Sequence, residues 1–171
     1  MARRIGRVLA MAAALVCSGM TLAAAGGEGG HEADPVRPVG SQAEQMFGRA
    51  VSRSATLRGL VASLAPHNVR VHLLISAEPG SWRGHTRLVS GTGPICFLSI
   101  TINAALNERE RAAVLAHELQ HAREATEAGV ASQVDMTRLF ERIGFRVSVS
   151  ETYETEAARV VEKRVREEWG R

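Results

Sequence analysis

The sequence predicts an α+β domain in which helices come first, a small sheet follows, and helices return. Three observations carry this reading: an amphipathic stretch over 41–64, three short alternating or apolar runs between 69 and 102, and helical patterns from 107 onward punctuated at Gly129 and Gly144. Strands grouped together, without regular strand–helix alternation, are the α+β pattern.

The chain opens with Arg3, Arg4 and Arg7, then an uncharged stretch over 8–25 ending in Ala23, Ala24 and Ala25. A basic start, an apolar middle and a small-x-small end describe a secretory signal peptide, so residues 1–25 are expected to be removed and the mature protein to be periplasmic or extracellular. Left uncleaved, the segment is marginally long enough to span a bilayer. Its Gly, Ser, Thr and Ala content makes it a weak anchor, and no stable membrane insertion is expected after cleavage. Val16 stands before Cys17, where a lipoprotein processing site would have a small residue. Residues 26–40, rich in Gly and Pro, read as a flexible spacer. The signal carries three of the 21 Lys and Arg and none of the 18 Asp and Glu, leaving 18 against 18 in the mature chain. A net charge of zero gives no reason to expect nucleic acid as a partner. Cys96 is then the one remaining cysteine, so no intramolecular disulfide is available. Stability must come from the core of 41–171, long enough for one domain.

Ser41 and Glu44 have capping-box spacing, and Met46, Phe47, Val51, Leu57, Leu60, Val61 and Leu64 supply the apolar face of one or two helices ending before Pro66. Val69, Val71 and Leu73 alternate with Arg70 and His72, as in a strand buried on one face. Gly80 and Gly84 bracket a turn. Runs 85–90 and 95–102, separated by Gly91, Thr92, Gly93 and Pro94, form a hairpin-like pair, completing three strands. Residues 107–128 follow as a helix, with Asn107 as N-cap, Glu110 at the capping-box position and Gly129 suited to the left-handed C′ position. Residues 131–143 form another, with Val134, Leu139, Phe140 and Ile143 on one face. A β-prone run over 145–149 precedes a final helix over 152–169.

The middle of the 107–128 helix reads His117, Glu118, Leu119, Gln120, His121, an H-E-x-x-H motif. Residues four apart share a helix face, so two imidazoles reach one ion from rigid positions. Glu118, offset by about 100°, meets a metal-bound water instead and serves as general base. One Zn2+ lowers the pKa of that water from 15.7 toward about 7. His31, His67, His72 and His85 read as solvated or half-buried, and Trp82 and Trp169 as packing residues.

A catalytic zinc takes three protein ligands, so one place remains to fill. A metzincin would continue with Gly at 124 and His at 127, where this chain has Glu124 and Glu127. Glu124 lies about 10 Å along the helix from His117, too far to share the ion but placed to hydrogen-bond a ligand imidazole. On the last helix, Glu154 shares a stripe with Ala158, Val161 and Val165, whereas Glu156 and Glu162 fall on a solvated face and Glu151 at a frayed start. Tyr153, the only tyrosine, is a candidate oxyanion donor.

His117, Glu118 and His121, followed by Glu154, Thr155, Glu156, Ala157 and Ala158, resemble the gluzincin branch of zinc peptidases, including minigluzincins and short exported bacterial HELQH proteins. The likeness rests on those two segments. It implies a compact zincin-like fold, His117, His121 and Glu154 as zinc ligands, Glu118 as catalytic base, peptide or protein substrates, and 95–102 as the strand beside an extended peptide in a shallow cleft. Ala158 stands where those families have an Asp that supports a ligand histidine, a role that Glu124 is placed to take. Two other readings remain open. Cys96 with the two histidines resembles the ligand set of peptide deformylase, though without its Glu-Gly-Cys pattern. A zincin-fold domain of the cell envelope that binds without catalysing is the other.

Overall fold

A computed structural model describes residues 34–78, 80–91, 93, 95–147 and 153–170. The expected signal over 1–25 with Cys17, the spacer as far as 33 with His31, the end of the β-prone run at 148–149, and Glu151 lie outside the described residues. The elements are β1 (Val36–Pro38), α1 (Ser41–Arg53), α2 (Ala55–Leu64), β2 (Val69–Ser76), β3 (Gly84–Ser90), β4 (Cys96–Asn103), α3 (Glu108–Glu127), α4 (Gln133–Ile143), β5 (Phe145–Arg146), β6 (Tyr153–Glu154) and α5 (Glu156–Trp169). The class is α+β. No described helix is long and apolar enough to cross a membrane.

The main sheet has the order β1-β2-β4-β3, with β1, β2 and β4 parallel and β3 antiparallel to β4 at one edge. It therefore has four strands where three were expected. The additional one, β1, lies inside the stretch read as spacer: Val36 is buried and pairs with Val71. A three-residue strand bounded by Pro residues leaves almost no trace in composition, and its hydrogen-bond partners come from β2. Val69, Val71 and Leu73 of β2 and Leu98, Ile100 and Ile102 of β4 form one buried face. Register places Val71 beside Leu98 and Leu73 beside Ile100, so the alternation seen in the sequence becomes a continuous apolar layer. β4 is paired on both edges. The 95–102 segment thus has no edge to offer an extended peptide; β3 is the edge strand on that side of the sheet.

Gly40, at φ 85, caps α1 through its carbonyl, which accepts from Glu44 N–H at 3.0 Å, and Ser41 is the first helical residue instead of the cap. Ser54 caps α2, its hydroxyl accepting from Leu57 N–H at 3.0 Å. α1 buries Ala43, Met46 and Ala50, and α2 buries Leu57, Leu60 and Leu64, in the common core.

The centre of the molecule is α3. Residues 112–122 are all buried, and alanines at 112, 113, 116, 122 and 125 keep the helix slim enough for the sheet and α5 to close on it. Asn107 Oδ1 accepts from Glu110 N–H at 2.9 Å. At the other end Gly129 has φ 67, and the Gly129 and Val130 N–H groups return to the Thr126 and Ala125 carbonyls. Both ends are therefore specified locally, as the sequence indicated.

In α4 the buried residues are Met136, Leu139 and Phe140, while Val134 and Ile143, expected to point inward, are 57% and 42% exposed. The last helix also differs from expectation. Thr155 is its N-cap, accepting from Ala158 N–H at 3.2 Å, and Tyr153 and Glu154 are extended residues paired antiparallel with Arg146 and Phe145. The Thr155 hydroxyl competes with helix continuation and stops it there. With its start moved to Glu156, α5 buries Ala158, Glu162 and Val165. Glu162 is 7% exposed, not solvated.

Candidate active site

Being one turn apart on the most enclosed helix, His117 and His121 present their rings to the same space. Their Nε2 atoms are 3.0 Å apart and the rings are nearly perpendicular, at 79°. Phe140 packs edge-on against His121, its centroid 5.0 Å away. Each Nδ1 faces a carboxylate: Glu162 at 3.0 Å from His117, and Glu124 at 3.1 Å from His121. Glu124 is itself held by Gln120 Nε2 at 3.1 Å and by the Thr155 hydroxyl at 2.9 Å, so the cap of α5 is tied to the shell of His121.

This pattern dictates protonation. If both Nδ1–H groups donate to carboxylates, two Nε2 lone pairs converge at 3.0 Å, an arrangement that calls for a cation between them. Burial lowers the His117 pKa, but the hydrogen bond to Glu162 and the charges of Glu118, Glu154 and Glu162 outweigh it, leaving it above the ordinary value. A proton or a divalent ion between the two nitrogens would meet that demand.

Glu154 places Oε1 3.6 Å from His117 Nε2. Ligand atoms sharing a tetrahedral ion at bonds of 2.0–2.1 Å stand about 3.3 Å apart, so 3.0 and 3.6 Å lie on either side of that spacing. Among the described residues, no group of three or more His, Cys, Asp or Glu side chains is arranged to hold a metal ion. Two imidazole nitrogens and a carboxylate are the donor types that could hold a zinc ion; Glu154, its side chain 30% exposed, does not close that set in this arrangement. Its backbone is positioned by the ribbon and by Gly144: a Cβ at 144 would stand 2.7 Å from the Glu154 carbonyl oxygen.

Glu118 is buried at 6% exposure. The Thr86 hydroxyl on β3 lies 2.8 Å from Glu118 Oε2 and 3.1 Å from the Glu118 carbonyl, where it can donate to either. Burial pushes the Glu118 pKa up, partly opposed by the two imidazoles and Thr86. β3 comes this close because residue 84 is glycine; a Cβ there would sit 2.5 Å from Val114 Cγ1 and 3.1 Å from Glu118 Oε1. Gly84→Ala is therefore expected to cost about 1–3 kcal/mol by overpacking and to displace the Glu118 carboxylate. Urea denaturation checks the first, and unchanged stability would show that β3 yields without strain.

Two clefts open on this centre, one of about 1070 Å³ and one of about 410 Å³, sharing Gly84, His117, Glu118 and Glu154. Tyr153 lines the smaller; its hydroxyl donates to Glu141 at 3.1 Å, and Arg146 covers its ring at 5.7 Å. Cys96 lines neither. Its Sγ faces the Val130 carbonyl at 3.9 Å, beyond the C-terminal end of α3, and burial raises its pKa, so the structure does not bring Cys96 to the histidines.

Sequence reasoning missed Glu162, Thr86, Gly84 and the ion network behind Glu162. Arg83 donates to Glu162 at 2.7 Å and to Glu110 at 2.6 Å, while Arg166 bonds Glu110 at 2.9 and 3.1 Å and also Glu162. One signal for Glu162 was available: Ala158, Glu162 and Val165 make a stripe at spacings of four and three, with a carboxylate where an apolar residue belongs. The sequence carries no comparable signal for Thr86.

Comparison with known proteins finds no matching family model, no matching curated protein and no matching solved structure, so functional inference rests on the site's own chemistry.

Proposed function

We propose that this chain is an exported zinc metallopeptidase, with His117, His121 and Glu154 binding one zinc ion and Glu118 as the catalytic base. The observation that carries the reading is the pair of Nε2 atoms converging at 3.0 Å, each ring anchored through Nδ1 by a carboxylate, with a buried glutamate beside them at the meeting of two clefts. A bound zinc would polarise a substrate carbonyl and acidify water. The open edge of β3 offers backbone donors and acceptors to an extended peptide, in the role the sequence had suggested for 95–102. Glu118 takes the proton of the attacking water as its oxygen adds to the carbonyl carbon. It then returns that proton to the departing nitrogen as the C–N bond breaks.

A second reading, a binding module without turnover, is favoured by Glu154 lying 3.6 Å from His117 without closing a three-ligand group. Elemental analysis of purified protein tests the ligand set, and peptide cleavage by the zinc-loaded protein separates the two readings. About one zinc per folded chain is expected, lost in Glu154→Gln and retained in Cys96→Ser. Folded wild type that holds no zinc after loading, or that holds zinc and cleaves no peptide, would sink the peptidase reading and leave the binding module; loss in Cys96→Ser would restore the deformylase-like ligand set.

A further inference from the structure

The two clefts differ in charge and polarity. The smaller has a neutral wall of Met136, Thr137 and Phe140, with the Arg146 guanidinium over Tyr153 and the tyrosine hydroxyl bonded to Glu141. In the larger, Phe145, Val147 and Val160 line the wall while 43%, 41% and 43% exposed, an apolar surface beside His117. Single exposed apolar residues are ordinary; three lining one cleft next to a reactive centre mark a place where a ligand is covered.

The cations in that cleft are not equivalent. Arg83 and Arg166 are occupied by Glu110 and Glu162. Arg159 and Lys163, one turn apart on α5, are not used in this way. Lys163 has only Glu167 at 3.9 Å, on an exposed face. The Arg159 guanidinium lies over the Phe145 ring, 5.7 Å from its centroid, and no carboxylate of the described residues is within ion-pair distance. Held over a ring and not by a carboxylate, the guanidinium keeps its fork of N–H donors available, and arginine binds a carboxylate through that fork with two hydrogen bonds.

We propose that Arg159, seated on Phe145, forms a carboxylate-binding subsite in the larger cleft, with Lys163 adding charge and Phe145, Val147 and Val160 covering an adjoining apolar side chain. It selects peptides that present an acidic side chain, or their own C-terminal carboxylate, on that side of the scissile bond. The proposal deepens the peptidase reading and takes from it that the ligand is a peptide.

The test uses three fluorescein-labelled hexapeptides rich in alanine and leucine: one with a central glutamate and an amidated C-terminus, its glutamine counterpart, and the glutamine peptide with a free C-terminus. Fluorescence anisotropy with zinc-loaded Glu118→Gln protein measures binding without turnover. At least one carboxylate-bearing peptide binds roughly fivefold tighter than the neutral one, as expected of a partly exposed charge pair. The difference disappears in the Glu118→Gln, Arg159→Gln double variant, survives in part with Arg159→Lys, and shrinks as salt is raised. Which peptide shows the preference identifies the carboxylate. Equal binding of all three, no binding of any, or a preference unchanged by Arg159→Gln overturns the subsite. Cleavage of the same peptides by wild type tests the other reading separately: selective binding with no cleavage would sink the peptidase while the subsite stands.

Discussion

Glu118→Gln is expected to lower peptide hydrolysis by about 10²–10⁴-fold, the usual contribution of a positioned general base, while zinc content and fold remain. The substitution is nearly isosteric, and the glutamine side-chain oxygen still accepts from the Thr86 hydroxyl, which lies 2.8 Å from Glu118 Oε2. What it removes is the ability to take a proton. Because Glu118 is buried beside two imidazoles, with its carboxyl held above the ordinary value, it is a stronger base than a solvated glutamate and closer to the range useful at neutral pH. Metal content measured on the same preparation separates a lost base from a lost ion. Full hydrolysis by a zinc-loaded Glu118→Gln protein would remove Glu118 from the mechanism.

Glu162→Gln should weaken zinc binding by about 10–100-fold, the effect of losing a partner that orients a ligand histidine. Glu162 accepts from His117 Nδ1 and is gripped from the other side by Arg83 and Arg166, so it couples α3, α5 and the residue before β3 to one imidazole. The variant also has a pH signature in the metal-free chain. Burial opposes ionisation, yet the His117 hydrogen bond and the Arg83 guanidinium hold the carboxyl at about 2, against an ordinary value of 4.5. A carboxyl depressed on folding contributes stability that is complete above about pH 4.5 and is lost as pH falls toward 2. Metal-free wild type should therefore lose stability relative to Glu162→Gln across that window, by an amount on the order of 2–3 kcal/mol. Competition with a chromophoric chelator reads the affinity, and acid titration followed by circular dichroism reads the stability. Unchanged zinc affinity would mean that α3 alone orients His117.

The sequence was most informative where a structure is specified within one helix. The i, i+4 spacing of His117 and His121, the Asn107 cap, the Gly129 terminator and the Glu124 carboxylate three residues beyond His121 all follow from helical geometry over residues 107–129. The same holds for the one-sided alternation of β2 and for the hairpin of β3 and β4. Errors arose where two elements must be brought together. Glu154 was assigned to a helix because its spacing to Ala158 matched a turn, but the Thr155 hydroxyl caps α5 and leaves Glu154 on a ribbon held beside Gly144. Glu162 looked solvated because it is charged and stands among charged neighbours, although it shares the buried face of Ala158 and Val165.

What the sequence determined by itself was the α+β class and a helix carrying two histidines and a glutamate in register, because those depend on contacts between residues at most four apart. The tertiary structure decided which carboxylates face the imidazoles, which strand is left with an open edge, and that Cys96 lies elsewhere. Glu162 on α5, Glu154 on β6 and Thr86 on β3 reach α3 only through the packing of separate elements. No local periodicity encodes such meetings. They are set by the alanine-lined approach of α5 and by the glycines at 84 and 144, where a single Cβ would hold β3 away from α3 and α4 away from the ribbon.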